Sequence, residues 1–567
     1  MKAHSIFLAM LGLFIGRSSY AQNALLIPDT LTGSNITLTM QTGTVQFFSG
    51  QVTNTMGING NILGPTVILH KGDSVYFSVV NQLGEPTTLH WHGFHVSAEN
   101  DGGPHTVIPA NSTWTPAFSV MNNAGTYWYH PHLHKHTDKH VSKGIAGLII
   151  VRDSAEAALT LPRTYGEDDF PLVIQTKDFD ANNQILVHSN SDDVLMVNAT
   201  LNPYLDVPAQ VVRFRILNGS SQRVFNLGLD NDRPFYQIAT DGGLLSAPLQ
   251  LTRLPLAPGE RAEILVDFSG LNGQTIYLKS YASELSNGIY GAASPGRMPM
   301  MTLNGYNPNP LNGADFNIME FHVGPATSNP VTTIPSSLVT VTPIPAGAAN
   351  TTRVLTFTPA SMGPNALNGN FLINGASMNL NVINYTIPLN STEIWELRNQ
   401  SPISHPFHIH DVQFFILTRN GAAPPAHEQG WKDVVMVKPQ ETVRFITKFE
   451  DFADDSVPYM YHCHMLPHED SGMMGQFVVV SNLTSINEKP AEPQLTVYPN
   501  PSYGTLNIAL DEGTIREVFI YDNPGKLIYH QPVRHAAFTR VEGLPKGIFY
   551  VKVVTHEGVA TRKVVVR

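Results

Sequence analysis

The sequence contains a single cysteine, Cys463, among 567 residues, and charged residues make up only 14 % of it. A chain with one cysteine forms no internal disulfide bond, so packed cores and any bound metal must stabilise it. The formal net charge of −11 argues against nucleic acid as a partner. Beyond an apolar stretch near the N-terminus, no run is long and apolar enough to predict a transmembrane anchor.

Long amphipathic helical patterns are also scarce. Short apolar runs instead recur between glycine (44 residues), proline (41 residues) and asparagine. This pattern is typical of all-β sandwiches. A chain of this length exceeds one hydrophobic core, so we expect three or four domains.

The N-terminus has the features of a secretory signal. A basic start at Lys2 is followed by the apolar run from Ile6 to Ile15 and by small residues ending at Ala21. We therefore predict a signal peptide over residues 1–21, with the mature protein beginning at Gln22.

The 23 histidines are unevenly distributed, and residues 160–310 contain only His188. On a β-strand, residues i and i+2 face the same side, so a His-x-His pair directs two imidazoles to one point. Four such pairs occur in two dense regions: His90 with His92, His130 with His132, His408 with His410, and His462 with His464.

The surroundings of these pairs form an internal repeat. An alternating strand ending at Asn81 precedes His90 by nine residues, and one ending at Asn399 precedes His408 by the same interval. Two homologous β-domains are thus predicted to supply two pairs each. The run ending at Asn218 repeats the strand without histidines, so we interpret the middle domain as a spacer.

Eight imidazoles at a domain interface can hold three metal ions. Zinc clusters in hydrolases usually include carboxylates, whereas imidazoles with a nearby thiolate favour copper. The thiolate is Cys463, which points to the opposite strand face from its neighbours His462 and His464. This arrangement predicts a short covalent electron path between two metal sites.

A second metal site is predicted around Cys463. Two histidines, a thiolate and a weak axial thioether form a blue-copper electron-transfer site. The candidates are His405, Cys463, His468 and Met473, with Met474 as the alternative thioether.

The histidine signatures resemble those of the multicopper oxidase family. They are His90-Trp91-His92-Gly93, Tyr129-His130-Pro131-His132, the stretch from His405 to His410 and the stretch from His462 to Met473, in the family's order. The resemblance covers roughly residues 35–482. It implies three cupredoxin domains and four copper ions: one type 1, one type 2 and two type 3.

The resemblance also implies a ligand set. His405, Cys463 and His468 would bind type 1 copper, with Met473 axial, and His90 and His408 would bind type 2 copper. The remaining histidines would bind the type 3 coppers in two groups: His92, His130 and His464, and His132, His410 and His462.

Reduction of O2 to water consumes protons, so carboxylates are expected near the cluster. Asp101 and Glu469 match family acids in that role. Asp433 also matches a family position, although it could simply hold a loop. We interpret His134, His136 and His140 as mostly solvated.

The resemblance implies an oxidase that couples four one-electron oxidations to reduction of O2. The family's Cu(I) oxidases carry an acid and a methionine just before the third signature, where this chain has residues 400–404 without either. We therefore favour phenols or aromatic amines, a laccase-like activity. A Cu(I) oxidase, for which Met298, Met300 and Met301 are the candidate contacts, and a non-enzymatic copper-binding protein are the alternatives.

The C-terminal residues resemble the sorting domain of the type IX secretion system. Tyr498-Pro499-Asn500-Pro501 opens it, and a basic, apolar strand ends at Arg567. We expect export by that machinery to the medium or cell surface, with the periplasm as the alternative, and a monomeric enzyme. The predicted domains are residues 22–157, 158–312 and 313–482, followed by a linker at 483–494 and the sorting domain at 495–567.

Overall fold

The structure is a computed structural model that describes residues 22–363, 366–481, 495–511, 513–523, 525–555 and 559–567. Contacts divide the chain into two compact units, one ending at Ser481 and the other beginning at Asn482. The predicted signal peptide and linker lie outside the described residues.

The first unit begins with a β-sandwich built from alternating strands. In strand Ser74–Gln82 the residues Val75, Phe77 and Val79 face the core and pack with Trp91. Alternation of this kind buries one face of each sheet. One sheet contains Thr30–Thr32, Thr66–His70, Gly147–Arg152, Gly125–His130 and His90–His92; the other contains Thr53–Ile58, Asn35–Val45, Ser74–Gln82, Thr113–Trp114 and Ala117–Ser119.

The middle sandwich is larger and has its own core around Phe214 and Phe321. Its first sheet contains Thr200–Leu201, Val194–Val197, Asp169–Phe179, Ile185–Leu186, Val211–Asn218, Arg261–Asp267, Phe235–Thr240 and Gly243–Leu251. Its second sheet contains Asn23–Ala24, Pro203–Pro208, Asp315–Gly324, Thr275–Tyr281, Phe225–Leu229 and Leu254–Leu256.

Two strands of that second sheet come from residues that the sequence assigned to other domains. We expected the third domain to begin at residue 313, yet Asp315–Gly324 pairs with Pro203–Pro208 and Thr275–Tyr281. Likewise Asn23–Ala24 pairs with the middle sandwich and not with the first. Backbone hydrogen bonding between distant segments determined both placements, and no local sequence pattern reports it.

The third sandwich repeats the architecture of the first around Trp395, Phe407 and Phe445. One sheet contains Phe371–Ile373, Thr351–Pro359, Thr392–Asn399, Thr442–Lys448 and Phe414–Arg419. The other contains Tyr385–Pro388, Met474–Val480, Asp454–Cys463, His405–Ile409 and Val434–Val437.

The asparagine at the end of the repeated strand has the same structural role in all three sandwiches. The side-chain amide of Asn81 donates to the carbonyls of Glu85 and Ile108. Asn218 and Asn399 donate in the same way to backbone carbonyls of the loops that follow them. Asparagine is favoured there because its side chain replaces backbone hydrogen bonds where a strand ends.

Helices are short throughout the described residues. The α-helices are Thr137–Ser142, Ser154–Ala157 and Leu466–Asp470, and the 3₁₀ turns are Ala98–Asn100, Asp230–Asp232, Ala282–Glu284, Ala346–Ala348 and Ala426–Glu428. None of the helices in the described part of the chain has the length and apolar character that a membrane span requires.

The second unit is a small β-module with a separate core around Val518, Ile520 and Val551. One sheet contains Leu495–Tyr498, Leu506–Leu510 and Phe538–Val541. The other contains Leu527–Ala536, Ile515–Asp522, Gly547–Thr555 and Val559–Val566.

Candidate metal centre

Two equivalent strand pairs carry the histidine pairs. In the first sandwich, His90 lies directly opposite His130 in an antiparallel ladder. In the third sandwich, His408 lies opposite His462 in the same arrangement. Because each strand contributes imidazoles at i and i+2, both ladders direct their rings to one side.

All eight imidazoles meet where the two sandwiches face each other, and each of these residues is at most 1 % exposed. His132 Nε2 lies 3.1 Å from His462 Nε2, and His410 Nε2 lies 3.4 Å from the same atom. The rings of His92 and His408 stack at 3.7 Å, and those of His90 and His410 at 3.9 Å. Residues from two ends of the chain therefore enclose one small space.

The nitrogen atoms of these rings follow a consistent pattern. Seven imidazoles have one nitrogen near a protein oxygen, which leaves the other directed into the shared space. The inward Nε2 atoms of His90 and His408 have no hydrogen-bond partner among the described residues. Metal-binding histidines characteristically donate their second ring N–H to a carboxylate or carbonyl. The oxygens are those of Asp101, Pro131, Asp433 and Glu469.

Burial favours the neutral form of six of these imidazoles. It lowers the pKa of His132 and His464 to about 3, and neighbouring imidazoles add to the effect at His464. The pKa values of His92, His130, His408 and His410 also lie well below the ordinary value, with burial the main cause. A neutral imidazole is the form that binds a metal ion.

The ring nitrogens of His464 make fewer contacts than those of the other seven imidazoles. Its ring lies 4.9 Å from that of His92 and 5.5 Å from that of His130. Neither of its ring nitrogens has a partner among the described residues, although the side chain is buried. Two unpartnered buried nitrogens beside the cluster fit a ligand-binding role.

The two predicted acids lie directly behind the histidines. Asp101 Oδ2 accepts from His410 Nδ1 at 2.8 Å, and the Asp101 carbonyl accepts from His90 Nδ1 at 2.9 Å. Glu469 lies between His132 Nδ1, at 3.3 Å, and His462 Nδ1, at 3.2 Å. Each acid thus contacts imidazoles on the side away from the shared space.

A second cluster surrounds Cys463. Its Sγ lies 3.5 Å from His405 Nδ1 and 3.7 Å from His468 Nδ1. The ring of Phe371 covers both histidines at 4.7 and 4.6 Å. Two imidazole nitrogens and one sulfur at these distances match the donor set that copper prefers in electron-transfer sites.

Of the two candidate thioethers, Met473 belongs to the apolar cluster that contains Cys463, whereas Met474 does not. The Met473 carbonyl accepts from the Cys463 N–H at 3.0 Å, and its N–H donates to the His468 carbonyl at 2.9 Å. The backbone therefore holds Met473 beside both residues.

Several side chains near the two sites had no signal in the sequence. Arg261 of the middle sandwich pairs with Asp433, and the Ser401 hydroxyl lies 2.7 Å from His405 Nε2. The ring of Trp128 stacks on His130 at 4.1 Å. A serine four residues before a predicted ligand is a weak pattern, and the arginine lies far from any histidine pair in sequence.

The flanking histidines stay outside the cluster. His136 is exposed as expected, but the expectation that His140 is solvated is wrong: it is buried, and its ring contacts the Thr87 hydroxyl and Glu85. Neither belongs to a metal-ligating group in the described part of the chain. The Met298 and Met300 side chains are 58 % and 85 % exposed.

Comparison with known proteins identifies related sequences and folds. The family described as "Multicopper oxidase" matches residues 39–156 and again residues 346–483, and the "Secretion system C-terminal sorting domain" matches residues 496–567. The chain is 33 % identical over 481 residues to multicopper oxidase mco of Staphylococcus haemolyticus, covering 82 % of this chain and 94 % of that protein.

Two further relatives differ in their described roles. Cell division protein FtsP of Dickeya dadantii is 32 % identical over 470 residues, covering 82 % of this chain and 93 % of that one. A laccase-like multicopper oxidase, CueO, from the lignin-degrading bacterium Ochrobactrum sp. is 35 % identical, covering 80 % of this chain and all of the other, with a TM-score of 0.71. It is described as active towards lignin model compounds and lignosulfonate.

Proposed function

Because the chain belongs to the multicopper oxidase family, we propose that it oxidises small phenols or aromatic amines at a copper held by Cys463 and passes the electrons to O2. The family establishes a copper-dependent oxidoreductase with cupredoxin-like sandwiches. The donor, the four-copper content and the ligand roles are our proposals. The observation that carries them is the convergence of eight buried imidazoles beside a cysteine with two further histidines.

Copper, when bound, would supply one-electron transfer from the donor and reduction of O2 to water. For type 1 copper we propose that His405, Cys463 and His468 would be the ligands, with the Met473 thioether as a weaker fourth ligand. The proposed type 2 ligands are His90 and His408. The proposed type 3 ligands are His92, His130 and His464, and His132, His410 and His462.

The chain itself provides the connection between the two sites. Cys463 is peptide-bonded to His462 and His464, and its side chain points to the opposite face of the strand. The carbonyl of Cys463 lies 3.1 Å from His462 Nδ1. Electrons from a donor at His468 would therefore cross few covalent bonds to reach the imidazole cluster.

Protons would arrive through acids that already touch the imidazoles. Glu469 contacts His132 and His462, and Asp101 contacts His410. A carboxyl group at each position can hold and release a proton beside the place where O2 is reduced. We propose these two acids as the proton-transfer residues of the reaction.

The laccase-like choice of donor is supported by the surroundings of His468. This residue is partly exposed, whereas His405 is fully buried, so a donor can approach only the His468 ring edge. Phe371, which is buried, packs against that ring at 4.6 Å and holds it in place. The activity described for the Ochrobactrum relative has the same substrate chemistry.

A Cu(I) donor is the second candidate. The segment containing Met298 and Met300 lies beside the Cys463 site, because the Arg297 N–H donates to the Pro402 carbonyl at 2.8 Å. Met301 packs on the same apolar cluster as Cys463. Exposed thioethers at this position are soft ligands that suit Cu(I).

The test is O2 uptake by the copper-loaded protein with a methoxyphenol, and separately with Cu(I). Cys463→Ser is the negative control, because it removes the thiolate. The proposal is supported if the unsubstituted protein consumes O2 with the phenol and the Cys463→Ser variant does not. A blue protein that consumes O2 only with Cu(I), and loses that rate in the variant Met298→Leu/Met300→Leu, would replace the phenol with the second candidate.

The sorting domain indicates export through the type IX secretion system. We propose that the enzyme is a monomer that acts outside the cell, after the signal peptide directs it across the inner membrane. Retention of the copper-loaded enzyme inside the periplasm of cells with an intact secretion system would contradict this location.

A further inference from the structure

Arg261, at the start of strand Arg261–Asp267 in the middle sandwich, is buried and contacts all three sandwiches. A guanidinium carries five N–H donors. Nη1 donates to Asp433 Oδ1 at 2.6 Å and to the Gly259 carbonyl at 3.0 Å, and Nη2 donates to Asp433 Oδ2 at 2.6 Å and to the Asp241 carbonyl at 2.9 Å. Nε donates to the Thr126 carbonyl at 3.2 Å. Every donor is therefore used.

Asp433, the partner of Arg261, holds two imidazoles of the cluster. Its Oδ1 accepts from His92 Nε2 at 3.2 Å, and its backbone carbonyl accepts from His408 Nδ1 at 2.8 Å. Both contacts use the outward nitrogen. On the inner side, His92 Nδ1 lies 3.3 Å from His130 Nε2, and His408 Nε2 has no partner among the described residues. A two-bond ion pair with Arg261 fixes the carboxylate plane that determines the orientation of the His92 ring.

The same loop of the middle sandwich also touches His464. A Cβ atom on Gly259, where φ is +83°, would lie 2.9 Å from ring atoms of His464. No other residue type fits without displacing that ring or straining the backbone. Gly259 and Arg261, two residues apart, thus approach neighbouring parts of the cluster, because the rings of His92 and His464 lie 4.9 Å apart.

A second charged connection holds the middle and third sandwiches together beside this turn. Lys432, the residue before Asp433, donates to Glu260 at 2.7 Å and lies 2.9 Å from Asp241. All three side chains are buried. Opposite charges that are buried and fully paired hold a single arrangement, because any shift leaves a charge without a partner.

We propose that Arg261 is a positioning residue for the copper cluster, and that the middle sandwich acts through it as a clamp on His92 and His408. This inference rests on the proposed function. It gives the domain without ligands a direct part in the geometry of the cluster, beyond the spacer role that the sequence indicated. The clamp does not reach the Cys463 site, because the hydrogen bonds of Arg261 and Asp433 to described residues involve none of His405, Cys463 and His468.

The variant Arg261→Lys tests the proposal. Lysine keeps the positive charge but cannot form the bidentate pair with both carboxylate oxygens of Asp433. Arg213→Lys is the matched control: Arg213 is equally buried in the middle sandwich and pairs with Glu263 and Glu156, away from every predicted ligand. Both variants remove a buried two-point contact. Only the first alters the cluster if the proposal is right.

The measurements are the electron paramagnetic resonance signal of type 2 copper and the loss of copper to a chelator, both in the full-length copper-loaded protein. We expect Arg261→Lys to shift the type 2 signal and to weaken copper retention about 10- to 100-fold. The blue absorption should stay unchanged, and Arg213→Lys should match the unsubstituted protein in both measurements.

Identical type 2 signals and copper retention in Arg261→Lys and Arg213→Lys would overturn the proposal and leave Arg261 a purely structural residue. If Arg261→Lys does not fold, the variant Arg261→Gln/Asp433→Asn removes both charges and is measured in the same way. An unsubstituted protein with no type 2 copper signal would instead contradict the proposed function, so the two failures are distinguishable.

Discussion

The Nε2 atoms of His132 and His462 lie 3.1 Å apart, although 330 residues separate them in the chain. The opposite nitrogens of both rings face Glu469. With those nitrogens protonated, the two Nε2 lone pairs point at one another, an arrangement that a cation between them would stabilise. The contact explains why the first and third sandwiches must be held in one relative position.

His132→Ala should therefore remove copper from the cluster and lower O2 uptake at least about 100-fold. The blue absorption should persist, since the Cys463 site has separate ligands. Metal analysis and an oxygen electrode measure the two quantities. His70→Ala is the control, because His70 is 66 % exposed and its ion-pair partner is Asp73, which is not a predicted ligand. Equal copper content in the two variants would contradict the ligand assignment.

Glu469→Gln should keep the copper and slow O2 reduction by about 100-fold or more, because the amide cannot deliver a proton. The solvent deuterium isotope effect on O2 uptake should change along with the rate. Glu450→Gln provides the comparison, since Glu450 is 46 % exposed and forms an ion pair with Lys448 on the surface. A Glu469→Gln enzyme with the unsubstituted rate would remove this acid from the proton route.

Ser401→Ala should raise the reduction potential of the copper held by Cys463. The Ser401 hydroxyl accepts from His405 Nε2 at 2.7 Å, and losing this bond weakens electron donation by the ring. A hydrogen bond worth about 1 kcal/mol corresponds to about 40 mV for a one-electron couple. Redox titration of the blue band measures the shift. Ser404→Ala is the matched control, because the buried Ser404 hydroxyl has no partner in the described part of the chain. A potential shift of the same size in both variants would contradict the role given to the Ser401–His405 hydrogen bond.

The stability of the first unit should fall at alkaline pH through His95. Burial lowers the pKa of His95, but ion pairs with Asp411 and Asp451 outweigh it and raise the pKa to about 9. Because the pKa is raised in the folded state, the stabilisation is complete below the unfolded value of about 6.5 and disappears as pH rises through about 9.

Urea unfolding across that pH range should show a loss of about 2 kcal/mol in the unsubstituted protein and little loss in His95→Gln. Asn122, whose Oδ1 accepts from the backbone N–H of His95, and Phe452, which packs on the ring, carry no charge that would change this pKa. Parallel pH profiles for the two proteins would show that the ion pairs contribute nothing.

Ending the chain at Ser481 should leave O2 uptake within about twofold of the full-length rate. The second unit has its own core, and every predicted ligand precedes residue 482. The truncated protein should, however, remain inside the cell envelope. Secretion of the truncated chain at the normal level would contradict the role of the sorting domain.

The sequence by itself determined the elements whose signal is local. The period of two along a strand predicted that His90 and His92, or His462 and His464, share a face and that Cys463 faces away. The repeated strand and asparagine predicted equivalent sandwiches, and Asn81 and Asn399 have equivalent bonds in the structure. These features depend on residues a few positions apart, where spacing dictates direction.

Only the tertiary structure decided which distant groups meet. Strand Asp315–Gly324 joins the middle sheet, and Arg261 reaches Asp433 across 172 residues. Such contacts depend on how three sandwiches pack, and no periodicity in the chain encodes the partner of a buried charge. The reason is physical: a strand's alternation is set by its own backbone, whereas an ion pair forms where packing excludes water and leaves one complementary group within reach.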